Sequence, residues 1–171
     1  MIHNRRIFSQ RRLHAATIAS LSLVGASIFA LLVAWWTQHI RGVVPCELCF
    51  IERWPWRVAL AAGLIGLLLP GLSVVTIALG LFALLVSVLL SVLHSGVEFG
   101  LWPSPFPSCH APVLSIGSIT QRLASMPMQA AKPCDAPTFL FDWLPVSMTT
   151  LGGFFAFIVM LFIIYPLNRR R

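Results

Sequence analysis

LSVVTIALGLFALLVSVLLSVL, the stretch from Leu72 to Leu93, carries no charged residue. A bilayer core takes about 20 helical residues to cross, so an uncharged apolar run of this length predicts a membrane-spanning helix. Two further runs read the same way. Ala15 to Trp36 precedes it, and Val146 to about Leu167 follows, opened by Pro145 and interrupted only by Gly152 and Gly153, small residues that membrane helices tolerate. A fourth, Val58 to Leu69, is too short to span by itself. Its helix has to extend back through Arg57, Arg53 and Glu52 into the interface, where long side chains snorkel towards water. That extension carries Cys46 and Cys49 to its N-terminus.

The expected fold is therefore all-α integral membrane, a bundle of four transmembrane helices forming a single domain over 1–171. A tail (1–14) leads to span one (15–36). A first loop (37–55) runs into span two (56–69), span three follows (72–93), and a second loop (94–145) precedes span four (146–167) and the tail 168–171. Composition agrees: 58% of the 171 residues are hydrophobic and only 10% charged, with a mean hydropathy of +0.87, which excludes an ordinary soluble domain. The net charge of +7 sits mostly in the tails beside apolar runs, which points to anionic lipid headgroups and away from nucleic acid.

Arg5, Arg6, Arg11 and Arg12 precede the first span and Arg169, Arg170 and Arg171 follow the last, so both termini are expected in the cytoplasm. The Pro70-Gly71 link then turns on that same side. Both long loops face outwards, and they hold every acidic residue: Glu47, Glu52, Glu98, Asp135 and Asp142. A cleaved signal peptide is the other reading of a basic stretch before an apolar run. The first run exceeds the ~7 to 15 residues of such a segment and no small-residue cleavage site follows Trp36, so a retained span is expected.

The four cysteines, Cys46, Cys49, Cys109 and Cys134, all fall in the two outer loops. Thiols used as small apolar packing residues would concentrate in the spans, whereas an even number outside the membrane reads as disulfide chemistry. Pro45-Cys46-Glu47-Leu48-Cys49 sets a CxxC at a helix start, with proline suited to the first helical position and the two sulfurs one turn apart. The helix dipole, free backbone N–H groups and nearby Arg53 all stabilise a thiolate there. A ring across two intervening residues constrains little chain, so a redox role fits better than a structural one. Cys109 and Cys134 frame a longer loop and suit a structural staple as well as an exchange site, and the pairing among the four stays open at this level. Structural zinc wants close-spaced pairs, so no metal is expected on these four cysteines. Between Cys109 and Cys134, Val113, Ile116, Ile119, Leu123 and Met126 recur at helical spacing, which predicts a short amphipathic helix on the outer leaflet.

Electrons accepted by the CxxC need a sink. No haem, flavin, nucleotide or iron–sulfur motif is present, which leaves a lipid-soluble carrier. Arg53 is placed to polarise a quinone carbonyl, and Trp56, Trp54, Trp35 and Trp36 offer aromatic surface, with an interfacial belt the expected role for three of them. His94 and Glu98, at the end of the third span, are candidates to move protons. Arg41 and Arg57 read as headgroup contacts.

Pro45-Cys46-Glu47-Leu48-Cys49-Phe50-Ile51-Glu52-Arg53 resembles the PCxLCxxxR signature of the DsbB family. Trp102-Pro103-Ser104-Pro105-Phe106 ahead of Cys109, and the acidic Asp135 after Cys134, extend the resemblance over nearly the whole chain. It implies a protein-dithiol:quinone oxidoreductase of the bacterial inner membrane, partnered by a DsbA-like periplasmic thioredoxin-fold protein and by a quinone, ubiquinone ahead of menaquinone. The relay of DsbA, DsbB and quinone is what keeps the bacterial periplasm oxidising. In such a relay Cys109 and Cys134 exchange with the partner, Cys46 and Cys49 receive the electrons, Cys49 is the thiolate facing quinone, and Arg53 is the arginine that polarises it. A similar oxidase with a dedicated partner and a nonenzymatic scaffold with structural disulfides are the alternatives. A vitamin K epoxide reductase-like protein is less similar, because its CxxC belongs near the end of the bundle.

Overall fold

The computed structural model describes residues 2–106, 109, 118–120, 132–140, 143 and 145–168, and gives only the backbone of residues 2–9, 11, 12, 167 and 168. Helix α1 runs Ile2–His39, α2 Glu47–Leu68, α3 Ser73–Glu98 and α4 Met148–Asn168. Among the described residues there is no strand, only an isolated bridge between Phe139 and Ser147. Among the described residues, three segments are long and apolar enough to cross a membrane: Leu13–His39, Pro70–Glu98 and Met148–Pro166. The fold is thus an all-helical membrane bundle. In α2, Glu52, Arg53 and Arg57 dilute the apolar run, the physical reason it is not a fourth such segment.

Consecutive helices pack on one another in chain order, and a smaller contact between α1 and α4 closes the bundle. Leu23, Trp56, Ala59, Leu84, Ala156 and Ile163 form its buried centre. Apolar side chains also face outwards, among them Leu21, Leu32, Val74, Phe82 and Phe162, each more than half exposed. That surface suits lipid and is far too extensive for water. Since lipid is as apolar as leucine, the helices associate through close van der Waals contact, which small residues permit. A Cβ built on Gly63 of α2 would lie 2.8 Å from Val24 Cγ2 and 3.0 Å from the Ser20 carbonyl of α1.

The two ends of α3 are made differently. Pro70–Leu72 forms a single 3-10 turn joining it to α2. At the other end Gly100 adopts a φ of +69°, and the Leu101 and Gly100 amides bond the Gly96 and Val97 carbonyls at 2.8 and 3.1 Å. This left-handed stop reverses the chain. The Trp102 indole then returns to α3, donating to the Leu93 carbonyl at 2.9 Å and lying flat against Gly96, where no Cβ fits. The loop bearing Cys109 is thereby anchored beside the end of α3. The amphipathic helix expected over Val113 to Met126 falls, apart from residues 118–120, outside the described residues.

Candidate redox site

All four cysteines lie at one end of the bundle. Cys46, Leu48, Val97, Cys109 and Cys134 form one buried cluster, with Cys49, Leu93 and Phe106 against it. Cys109 and Cys134 are joined as a disulfide, while Cys46 and Cys49 are free. Two pairs in opposite redox states are packed side by side. The disulfide itself is almost fully covered.

The helix start differs from the expectation in one respect. Proline does not occupy its first position: α2 begins at Glu47, and Cys46 is the N-cap with extended backbone (φ −79°, ψ 171°). Its sulfur does what a serine or aspartate oxygen does at other helix starts, accepting the Cys49 amide at 3.3 Å. A charged sulfur is favoured there by the dipole as well as by the bond. The Cys49 thiol bonding to Cys46 Sγ, together with that amide, holds the Cys46 thiol below the usual range although burial opposes it. Cys49 is pushed the other way, by holding the shared proton and by burial. Both effects favour charge on Cys46 over Cys49 in the reduced pair.

His94 from α3 faces this sulfur. Its Nε2 is 3.6 Å from Cys46 Sγ, and its Nδ1 is 3.2 Å from Glu52 Oε1 and 3.2 Å from the Thr149 hydroxyl. A carboxylate can only accept, so Nδ1 carries the proton donated to Glu52, and Nε2 is the ring nitrogen turned towards the sulfur. His94 is 1% exposed. Three helices supply this line of groups: α2 gives Glu52, α3 gives His94 and α4 gives Thr149. Glu98, the other proton-moving candidate, closes α3 one turn further on, half-buried, and is not part of it.

On the other side of Cys49 opens a cavity of about 400 Å³. Phe29, Trp56, Leu151 and Phe155 make much of its wall, and Cys49, Glu52, Arg53, Gln38 and Thr149 bring polar groups to it. Trp56 stacks on Phe155, with ring centroids 5.6 Å apart and planes inclined by 23°. Trp35, Trp36 and Trp54 do not line the cavity and are well exposed, as an interfacial belt would be. Arg53 donates to Gln38 Oε1 at 2.7 Å and lies over the Phe50 ring at 5.1 Å. Arg57 lies over Trp54. Arg41, expected as a headgroup contact, instead donates to the Leu140 carbonyl at 2.7 Å and ties the first loop to the second.

Sequence reasoning missed Glu52, Thr149 and Gln38 as site residues. Glu52 had a signal, being a carboxylate forced towards the membrane beside Arg53. The other two had none.

The family model described as disulfide bond formation protein DsbB matches residues 16–165. The chain belongs to the DsbB family. It is 33% identical over 137 residues to an uncharacterized protein of Rickettsia prowazekii, covering 77% of this chain and 76% of that one. Against disulfide bond formation protein B of Pasteurella multocida it is 32% identical over 82 residues, 46% of this chain and 45% of the relative. Against disulfide bond formation protein B of Escherichia coli it is 36% identical over 80 residues, 46% of this chain and 44% of the relative. These last two matches therefore span under half of each relative. No solved structure matches. As a DsbB-family member the chain is a multi-pass membrane oxidoreductase of disulfide bond formation.

Proposed function

We propose that this DsbB-family protein oxidises a DsbA-like periplasmic dithiol protein and delivers the electrons through its two cysteine pairs to a membrane quinone. The observation that carries the reading is the position of the CxxC between two neighbours. Cys46 packs with the Cys109–Cys134 disulfide, while Cys49 lines the apolar cavity together with Arg53. Electrons entering on one side have a defined exit on the other.

The partner's thiolate attacks Cys109, Cys134 leaves as a thiolate, and the partner's second thiol completes its own disulfide, so two electrons now rest on Cys109 and Cys134. Those thiols in turn reduce a Cys46–Cys49 disulfide, and the protein returns to the distribution seen here, with Cys109–Cys134 oxidised and the CxxC reduced. The cavity fits a quinone ring: its wall is aromatic and aliphatic, and a guanidinium reaches one side. Bound there, a quinone supplies the terminal acceptor for two electrons and two protons. Arg53 would hold a carbonyl oxygen and stabilise charge developing on it. Cys49 is the cysteine that faces this space, and His94 with Glu52, which also lines it, provides a hydrogen-bonded route by which the proton shared by Cys46 and Cys49 leaves as the disulfide closes.

In this reading residues 56–69, in and just beyond α2, make the fourth span. The residue-2 and residue-168 ends lie in the cytoplasm of a bacterial inner membrane, and the cysteine end faces the periplasm. Ubiquinone is preferred to menaquinone as the acceptor.

The test is reoxidation of reduced DsbA by the purified protein in detergent with added quinone, followed by quinone absorbance. Quinone consumed in step with partner thiols is expected, with Cys49→Ser inactive and Arg53→Ala impaired. An inert wild-type protein, with loss of Cys46 and Cys49 changing only thermal stability, would leave the cysteines as staples of a scaffold.

A further inference from the structure

The reduced pair and His94 present three donor atoms to one point. Cys46 Sγ, Cys49 Sγ and a His94 ring nitrogen all lie within 4.8 Å of one another, and Cys46 Sγ is 3.6 Å from Nε2. In a tetrahedral zinc site, with Zn–S near 2.3 Å and Zn–N near 2.0 Å, sulfur and nitrogen stand about 3.5 Å apart. The spacing across α2 and α3 is thus already that of two ligands on one ion. Because Nδ1 carries the proton that Glu52 accepts at 3.2 Å, the Nε2 lone pair is free to bind a metal, and the carboxylate stands where metal-binding histidines commonly keep one.

Donor chemistry selects the class of ion. Two thiolates and an imidazole suit a borderline-soft divalent cation such as Zn²⁺ and not Mg²⁺ or Ca²⁺, which take oxygen ligands. Cys49 also faces the cavity, so a fourth position stays open to water or a small ligand, as in zinc sites with three protein ligands. Cys109 and Cys134 are not ligands here, being joined to each other.

We propose that Cys46, Cys49 and His94 form a Zn²⁺ site that exists only while the CxxC is reduced. Any thiol still protonated gives up its proton on binding, and no electron moves. Closing the Cys46–Cys49 disulfide removes both thiolates and expels the ion. Conversely, bound Zn²⁺ occupies both sulfurs and holds the pair reduced, so the ion is an inhibitor that acts between electron arrival and electron departure. The site goes beyond the oxidase reading and needs only the reduced dithiol and the histidine, while the inhibition rests on that reading.

Cobalt makes the site visible, because thiolate-bound tetrahedral Co²⁺ gives charge-transfer absorption that water-bound Co²⁺ lacks. The full-length protein in detergent is reduced with a phosphine, freed of it and titrated anaerobically with Co²⁺, then Zn²⁺. The expected result is a single equivalent of Co²⁺ with thiolate charge transfer, displaced by Zn²⁺ and absent after oxidation of the CxxC. Cys46→Ser and Cys49→Ser remove the signal. Glu52→Gln keeps the spectrum and weakens affinity by about 10- to 100-fold, and the double variant Cys109→Ser/Cys134→Ser binds as wild type does. A reduced protein without the absorption overturns the proposal, as does absorption that survives loss of Cys46 and Cys49. Should a variant fail to fold, the wild type decides through alkylation. Zn²⁺ must shield both Cys46 and Cys49 in peptide mass spectra until a chelator is added, and unshielded thiols overturn the site whether or not quinone is reduced.

Discussion

Arg53 on α2 is held by Gln38 on the last turn of α1, Nη1 to Oε1 at 2.7 Å, with Nη2 3.5 Å from the Ala34 carbonyl. An arginine carries roughly 2 kcal/mol of rotamer entropy, and a partner that fixes it beforehand spares that loss when a ligand arrives. Gln38→Ala is expected to raise KM for quinone about 5-fold, corresponding to roughly 1 kcal/mol for one hydrogen bond, with kcat nearly unchanged. Arg53→Ala lowers kcat itself by about 100-fold, the scale for losing a donor to developing charge. Steady-state rates across quinone concentration separate the two. A Gln38→Ala enzyme with wild-type KM would show that Arg53 does not need this partner.

Within the reduced CxxC charge is favoured on Cys46, which takes the bond from the Cys49 thiol and the Cys49 amide. A thiol whose pKa is lowered stays ionised at pH values where an ordinary cysteine, near 8.5, is protonated. Lowering the pH from about 9 to about 7 should therefore slow alkylation of Cys46 much less than that of Cys49, whose proton is held more tightly. Cys49→Ala removes one donor and returns the Cys46 profile towards higher pH. Rates read by mass spectrometry on each peptide check this, and parallel pH profiles for the two sulfurs would contradict the assignment.

The bundle was legible because crossing a membrane is a matter of length and apolarity, which Leu72 to Leu93 shows without any tertiary information. CxxC at a helix start was legible too, since Cys46, Cys49 and Arg53 lie on one short stretch of one helix. What stayed hidden depends on packing between helices. Glu52, His94 and Thr149 come from α2, α3 and α4, and no local spacing relates them. Gln38 is an ordinary polar residue at the end of a span until Arg53 reaches it. Cys46 capped its own helix, whereas Pro45 had suggested a start two residues earlier, because a sulfur can replace the usual cap oxygen.

Trp102 is the residue that holds the Cys109 loop to α3, through its bond to the Leu93 carbonyl and its face against Gly96. A methyl group on Gly96 has no room beside the indole, and overpacking of this kind costs about 1 to 3 kcal/mol. Gly96→Ala is expected to lower the melting temperature in detergent and to expose Cys109–Cys134 to faster reduction by small thiols. Pairing it with Trp102→Ala should recover part of the stability, giving the non-additivity expected of residues in contact. Strictly additive losses would mean that the two do not act through one contact.

Gly63 and Gly25 offer the same substitution in opposite surroundings. On Gly63 a Cβ meets Val24, Leu23 and the Ser20 carbonyl of α1, whereas on Gly25 it meets nothing within 4 Å. Helices in lipid gain from close approach and not from burying apolar surface away from water, so a side chain that separates α1 from α2 forfeits contact along the whole seam. Gly63→Leu should therefore destabilise the bundle by at least about 1 to 3 kcal/mol and lower the yield of folded protein. Gly25→Leu faces lipid and should be neutral or slightly stabilising, since glycine costs a helix up to about 1 kcal/mol relative to better formers. Thermal unfolding of both variants in the same detergent decides the matter: equal melting temperatures would mean that α1 and α2 are not held together at Gly63.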